Sequence, residues 1–115
     1  MVRLLGRQVL GDLRGCPAEL LGDEGAVREH LLGAARAAGA TVVTDCFHRF
    51  EPHGVSGVVV IAESHLAIHT WPEHGYAAVD LFTCGAHVRP ERCFEYLVGA
   101  LQAQSHEVRW IERGL

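Results

Sequence analysis

Apolar positions along the first segment, Leu5, Val9 and Leu13, recur among polar residues, with Leu4 and Leu10 interrupting the alternation. The pattern predicts a strand over about Gly6 to Leu13, ended by Gly15, Cys16 and Pro17. From Asp23 the period changes. Val27, Leu31, Ala34, Ala35 and Ala38 repeat at helical spacing, Asp23 suits an N-cap, Glu24 suits the first turn, and Gly39 closes the helix. Thr41 to Phe50 is rich in β-branched and aromatic residues and predicts a strand, followed by a turn at Glu51 to Gly54. The continuous apolar run from Val55 to Ala62 predicts a strand buried on both faces. Leu66 and Ile68 then alternate with His65, Ala67 and His69, the mark of a half-buried strand. Trp71 to Gly75 reads as a loop and Tyr76 to Thr83 as a strand. Pro90 opens a second helix with Phe94, Leu97, Val98 and Leu101 on its buried stripe, behind Arg89, a poor N-cap. Glu107 to Ile111 forms a last strand with Val108 and Trp110 on one face.

The order β-α-β-β-β-β-α-β indicates an α+β fold, a mainly antiparallel sheet with two helices on one face. The opposite face must be polar or must meet a second subunit. The apolar stretch Val58 to Val60 favours a homodimer through the sheets. The chain has 115 residues, enough for a single domain, 1–115, and too few for two.

Composition narrows the chemistry. The net charge is −4, acids and bases are mixed, and no Lys/Arg block suggests nucleic acid or a membrane surface. No apolar run approaches the roughly 20 residues that span a bilayer. Arg3, Arg7 and Asp12 argue against a signal peptide, so a cytoplasmic location is the default. Cys16, Cys46, Cys84 and Cys93 lack C-x-x-C spacing and read as free thiols. All ten basic residues are arginines. Without lysine, neither pyridoxal phosphate held on a lysine nor lysine Schiff-base catalysis is open to the chain.

Reactive side chains concentrate between Ala62 and Gly85. Ser64 is either a serine bonding locally to backbone or a nucleophile; a hydrolase triad has little support without a G-x-S-x-G elbow. His65 and His69, four residues apart on a strand, share a face. They are either polar residues of a sheet surface or metal ligands, with Cys84, His74 or His53 completing the set. Ser64 and His69, five apart, face opposite sides of a regular strand. Either the chain bends at Ser64, or His69 serves the Ser64 of a neighbouring subunit. Cys84, beside Gly85, is a buried small hydrophobe or a reactive thiol. Phe50 and Trp71 border turns and either pack or stack on a planar ligand. Glu73 is solvated or anchors hydroxyls or a cation.

The run GVSGVVVIAESHLAIHTWPEHGYAAVDLFTCG, Gly54 to Gly85, closely resembles the small pyruvoyl-dependent S-adenosylmethionine decarboxylase proenzymes of prokaryotes. The upstream GATVVTDCFHRFEPHGVSG and the C-terminal HEVRWIERG also fit, so the resemblance covers nearly the whole chain. It implies a two-layer α/β sandwich dimerising through its sheets. It implies autocatalytic cleavage between Glu63 and Ser64, giving residues 1–63 and 64–115. The second fragment would begin with a pyruvoyl group derived from Ser64, the covalent cofactor that holds substrate as a Schiff base. By the same resemblance His69, assisted by Ser56, transfers protons during processing, and Cys84 is the proton donor in decarboxylation. Phe50 matches the aromatic that stacks on adenine, and Glu73 the carboxylate that holds the ribose hydroxyls. The substrate implied is S-adenosylmethionine, decarboxylated to the aminopropyl donor for spermidine synthesis. Sites are shared across the homodimer, Ser64 and Cys84 from one subunit and His69, Ser56, Phe50 and Glu73 from the other. His74 stands where tyrosine is common, and His87 and Arg89 where acids are usual. Two rivals remain: a pyruvoyl-dependent arginine or ornithine decarboxylase, and a non-catalytic ligand- or zinc-binding module.

Overall fold

A computed structural model describes residues 4–115. Met1 to Arg3, part of the segment whose charge argues against a signal peptide, lie outside the described residues. Six strands form one antiparallel sheet: β1 (Leu4–Arg14), β2 (Val42–Arg49), β3 (Val55–Ile61), β4 (Ser64–Trp71), β5 (Tyr76–Thr83) and β6 (Ser105–Gly114). Their order across the sheet is β2-β3-β4-β5-β1-β6. Three helices accompany them: α1 (Ala18–Leu21), α2 (Glu24–Ala37) and α3 (Pro90–Ala100).

Helix α2 lies over β2, β3 and β4, and α3 packs beside it and against β1. Asp23 caps α2 as expected, its carboxylate accepting the Ala26 N–H at 3.0 Å. Arg89 at the start of α3 makes no side-chain capping bond, and Pro90 opens that helix. The core lies between helices and sheet, with Val27, Leu31, Phe94 and Leu97 meeting Val9, Leu13, Val59, Leu66, Ile68, Val79 and Leu81. Burying such side chains is worth about 1.5–3 kcal/mol each.

Four expectations change. The one-turn helix α1 was not anticipated; the buried Thr70 hydroxyl ties it to the sheet by donating to the Leu21 carbonyl at 2.8 Å and accepting the Val55 N–H at 2.9 Å. The expected Trp71–Gly75 loop contains a 3-10 turn over Pro72–His74. Strand β6 runs well beyond Glu107–Ile111. The fourth change concerns β3. Val55, Val59 and Ile61 face the core, but Val58 is only half-buried and Val60 is exposed in the single chain. The run is buried on one face, because the helices cover only one side of the sheet.

Candidate active site

Strands β3 and β4 are joined by a two-residue turn, Ala62–Glu63, with Ile61 paired to Ser64. The turn is docked on the residue preceding β2, since the Ala62 N–H donates to the Thr41 carbonyl at 2.8 Å. Ser64 is the first residue of β4 and has φ +138°. Side chains with a Cβ seldom occupy that region, which costs about 1–3 kcal/mol where it persists. The left-handed φ sits at the first residue of β4, which stays in register with Ile61 on one side and Thr83 on the other.

Glu63, on the other side of the same peptide bond, is almost fully buried. Its main-chain carbonyl accepts the Cys84 N–H at 3.2 Å, and the Cys84 thiol lies 3.7 Å from the same oxygen. The Glu63 carboxylate accepts the Thr41 N–H at 3.1 Å through Oε1 and meets His87 Nε2 at 2.7 Å through Oε2. The Thr41 N–H, aided by His87, holds the carboxyl below the usual carboxylate range, although burial opposes the shift. Cys84 itself is exposed, beside a shallow cleft of about 290 Å³ formed by Leu4 to Arg7 and Thr83 to Ala86.

His69 is elsewhere. Along β4, Leu66, Ile68 and Thr70 point into the core, while His65, Ala67, His69 and Trp71 line the uncovered face. His69 pairs across strands with Ser56, whose Oγ is 2.8 Å from His69 Nδ1. Ser64 and His69 are five residue steps apart along the strand, roughly 17 Å at about 3.3 Å per step. Within one chain the two cannot meet. Phe50, the residue following β2, is 46% exposed and makes an edge contact with His48 at 4.6 Å. Glu73 is exposed in the turn after β4. Ser56, His69, Phe50 and Glu73 thus gather at one end of the sheet, and Glu63, Ser64 and Cys84 at the other.

Residues 7–114 match the family model described as S-adenosylmethionine decarboxylase. The chain belongs to the S-adenosylmethionine decarboxylase family. It is 54% identical to the S-adenosylmethionine decarboxylase proenzyme of Moorella thermoacetica, over 99% of this chain and 91% of that one. It is 51% identical to the proenzyme of Thermotoga maritima, over 98% of this chain and 87% of that protein. The crystal structure of the adenosylmethionine decarboxylase from Aquifex aeolicus superimposes with a TM-score of 0.90 at 39% identity, over 98% of this chain and 93% of that one.

The remaining candidates divide accordingly. Cys93 is fully buried, and burial pushes its thiol up to about 12; Cys16 is buried and raised for the same reason. Cys46 is exposed on β2. His65 stacks on Phe82 at 6.1 Å, and Trp71 packs against Tyr76 at 5.3 Å, an ordinary aromatic contact. Among the described residues no group of three or more His, Cys, Asp or Glu is gathered as metal ligands. Also among the described residues, no helix is long and apolar enough to cross a membrane. The residue that sequence reasoning underrated is His87, noted only as standing where acids are usual and found on the Glu63 carboxylate. No local signal links positions 24 apart in different loops. The nearest sequence clue was a glutamate in a turn that packing then buries.

Proposed function

We propose that this chain is the proenzyme of a pyruvoyl-dependent S-adenosylmethionine decarboxylase that cuts itself between Glu63 and Ser64 and acts as a homodimer. The observation that carries the reading is the Glu63–Ser64 peptide bond itself. Its carbonyl oxygen accepts the Cys84 N–H, and its amine side belongs to a serine at φ +138°. A donor at 3.2 Å can steady the negative charge that grows on that oxygen when a nucleophile attacks its carbon.

The Ser64 hydroxyl attacks the Glu63 carbonyl carbon, the C–N bond breaks, and the amide becomes an ester with a free Ser64 amine. A base removes the Ser64 Cα proton, and the ester C–O bond breaks to leave the Glu63 α-carboxylate and a dehydroalanine. Water then replaces nitrogen, ammonia departs, and residues 64–115 begin with a pyruvoyl group. Only a residue with an oxygen or sulfur on Cβ can follow this route. The residues present fit it: a strained serine, a carbonyl held by a neighbouring amide, and a thiol at 3.7 Å from that carbonyl.

His69 and Ser56 of the partner subunit supply proton transfer for processing. The roughly 17 Å between Ser64 and His69 in one chain supports that assignment. Two sheets meeting by their uncovered faces around a two-fold axis would bring opposite ends together. His69 acts through Nε2 when its Nδ1–H donates to the Ser56 hydroxyl, and imidazole suits proton transfer near neutrality. The pyruvoyl group supplies a ketone that captures the substrate amine and a sink for the electrons released with carbon dioxide. Cys84, whose thiol lies 3.7 Å from the Glu63 carbonyl oxygen, then returns a proton to the substrate α-carbon. Phe50 offers its exposed ring to the adenine and Glu73 its carboxylate to the ribose hydroxyls. The reaction belongs in the cytoplasm, where four free thiols stay reduced.

Denaturing intact-mass measurement tests the proposal. We expect fragments of residues 1–63 and 64–115, the second without a free amino terminus, and carbon dioxide release from S-adenosylmethionine but not from arginine or ornithine. Ser64→Ala should leave one chain. A wild-type protein that stays whole under mild conditions, or a Ser64→Ala chain that still splits, would sink it.

A further inference from the structure

The self-cleavage consumes only the main-chain carbonyl of Glu63, yet the side chain of Glu63 is held as closely as the carbonyl. Its carboxylate is buried, with 9% of the side chain exposed, and the reaction gives it no task. A buried carboxylate needs partners, and it has one on each oxygen. Thr41, before β2, donates its N–H to Oε1 at 3.1 Å, and His87, beyond β5, meets Oε2 at 2.7 Å. The slot between them is fitted. A Cβ on Gly85 would stand 2.7 Å from Glu63 Cγ and 3.4 Å from His87 Cε1, so the backbone beside Cys84 closes on the glutamate stem. One residue is thereby fixed at both ends, by its side chain to Thr41 and His87 and by its carbonyl to Cys84. Ser64, whose hydroxyl must reach that carbonyl carbon, is left to take up the strain.

We infer that His87 is a positioning residue for self-cleavage: with Thr41 it clamps the Glu63 carboxylate so that the scissile carbonyl stays seated on the Cys84 N–H. His87 touches none of the reacting atoms. The inference deepens the processing reading above and rests on it. Losing one charge-assisted hydrogen bond should slow cleavage by about ten- to a hundredfold. His87 is itself 61% exposed, so its replacement removes little packing.

The test follows cleavage of freshly refolded proenzyme by intact mass, comparing wild type, His87→Ala, His87→Gln and Glu63→Ala. We expect His87→Ala and Glu63→Ala to cut slowly. His87→Gln, whose amide still donates to the carboxylate, should recover most of the rate. The cut fraction of His87→Ala, scored per pyruvoyl group, should decarboxylate at the wild-type rate. Equal cleavage rates in wild type and His87→Ala overturn the inference alone. So does slow cleavage of His87→Ala that His87→Gln fails to rescue, which would mark a merely structural role. Should His87→Ala fail to fold, as thermal melting would show, wild-type timing in Glu63→Ala overturns it instead. A wild-type chain that stays whole or cuts elsewhere removes the processing reading, and the inference with it.

Discussion

Replacing Ser64 by glycine and by alanine separates strain from chemistry at the bond proposed to break. Both variants lack the nucleophile, so both should remain uncut and be directly comparable. Alanine keeps a Cβ at φ +138°, and glycine does not. Relief of that conformation is worth about 1–3 kcal/mol. Against it stands the greater freedom of glycine in the unfolded chain, about 0.4–1 kcal/mol. The net expectation is that Ser64→Gly is more stable than Ser64→Ala by about 1 kcal/mol, with about 2.5 kcal/mol as the ceiling. For a domain of this size about 1 kcal/mol moves the melting temperature by roughly 4 °C. The assay is paired thermal and urea unfolding at one protein concentration, because an associating protein gains apparent stability with concentration. Equal urea m-values would show that the two unfolded states are alike. If Ser64→Ala proves the more stable, as at an unstrained position, then Ser64 stores no strain and the backbone argument fails.

Two further outcomes follow from contacts described above. The Glu63 carboxyl is held below the carboxylate range, so its share of stability is complete above the unfolded value of about 4.3 and drains away as pH falls through the lower folded value. In an uncut Ser64→Ala background, Glu63→Gln should therefore flatten the acid side of the stability–pH curve below about pH 4.3, and superimposable curves would contradict the clamp. On the core side, Gly11→Ala would place a Cβ 2.3 Å from the ring of Phe94, which is 3% exposed. Chemical denaturation should register a loss of about 1–3 kcal/mol, as for other overpacked cores, and an unchanged midpoint would mean the ring has room to move.

Much of this architecture is legible in residue order. The Asp23 cap, the alternation of Leu66 and Ile68 with His65 and His69, and the proline that opens α3 are local signals, and local physics fixes them. The odd interval from Ser64 to His69 already pointed to a bend or a second subunit, and β4 runs unbroken from one to the other. What escaped is non-local. The valines of β3 say that an apolar surface is present, but not that helices cover only one side of it. Helix α1 is one turn long, too short to display a period. The bond from His87 to Glu63 depends on two loops converging beyond the ends of β3 and β5, and no spacing along the chain encodes that meeting. The insertion of β1 between β5 and β6 is equally invisible to periodicity.

That insertion has a consequence for the proposed cut between Glu63 and Ser64. Taken across the sheet, the strands of 1–63 and of 64–115 interleave: β2 and β3, then β4 and β5, then β1, then β6. The amino-terminal fragment holds a strand wedged between two of the carboxy-terminal fragment. The carboxy-terminal fragment in turn presses β4 along β3. Severing the chain at one turn leaves every ladder intact, so the two pieces can part only by tearing the sheet in three places. The scaffold can therefore surrender a covalent bond at the proposed cleavage turn and keep its shape, much as a woven cloth survives one snipped thread.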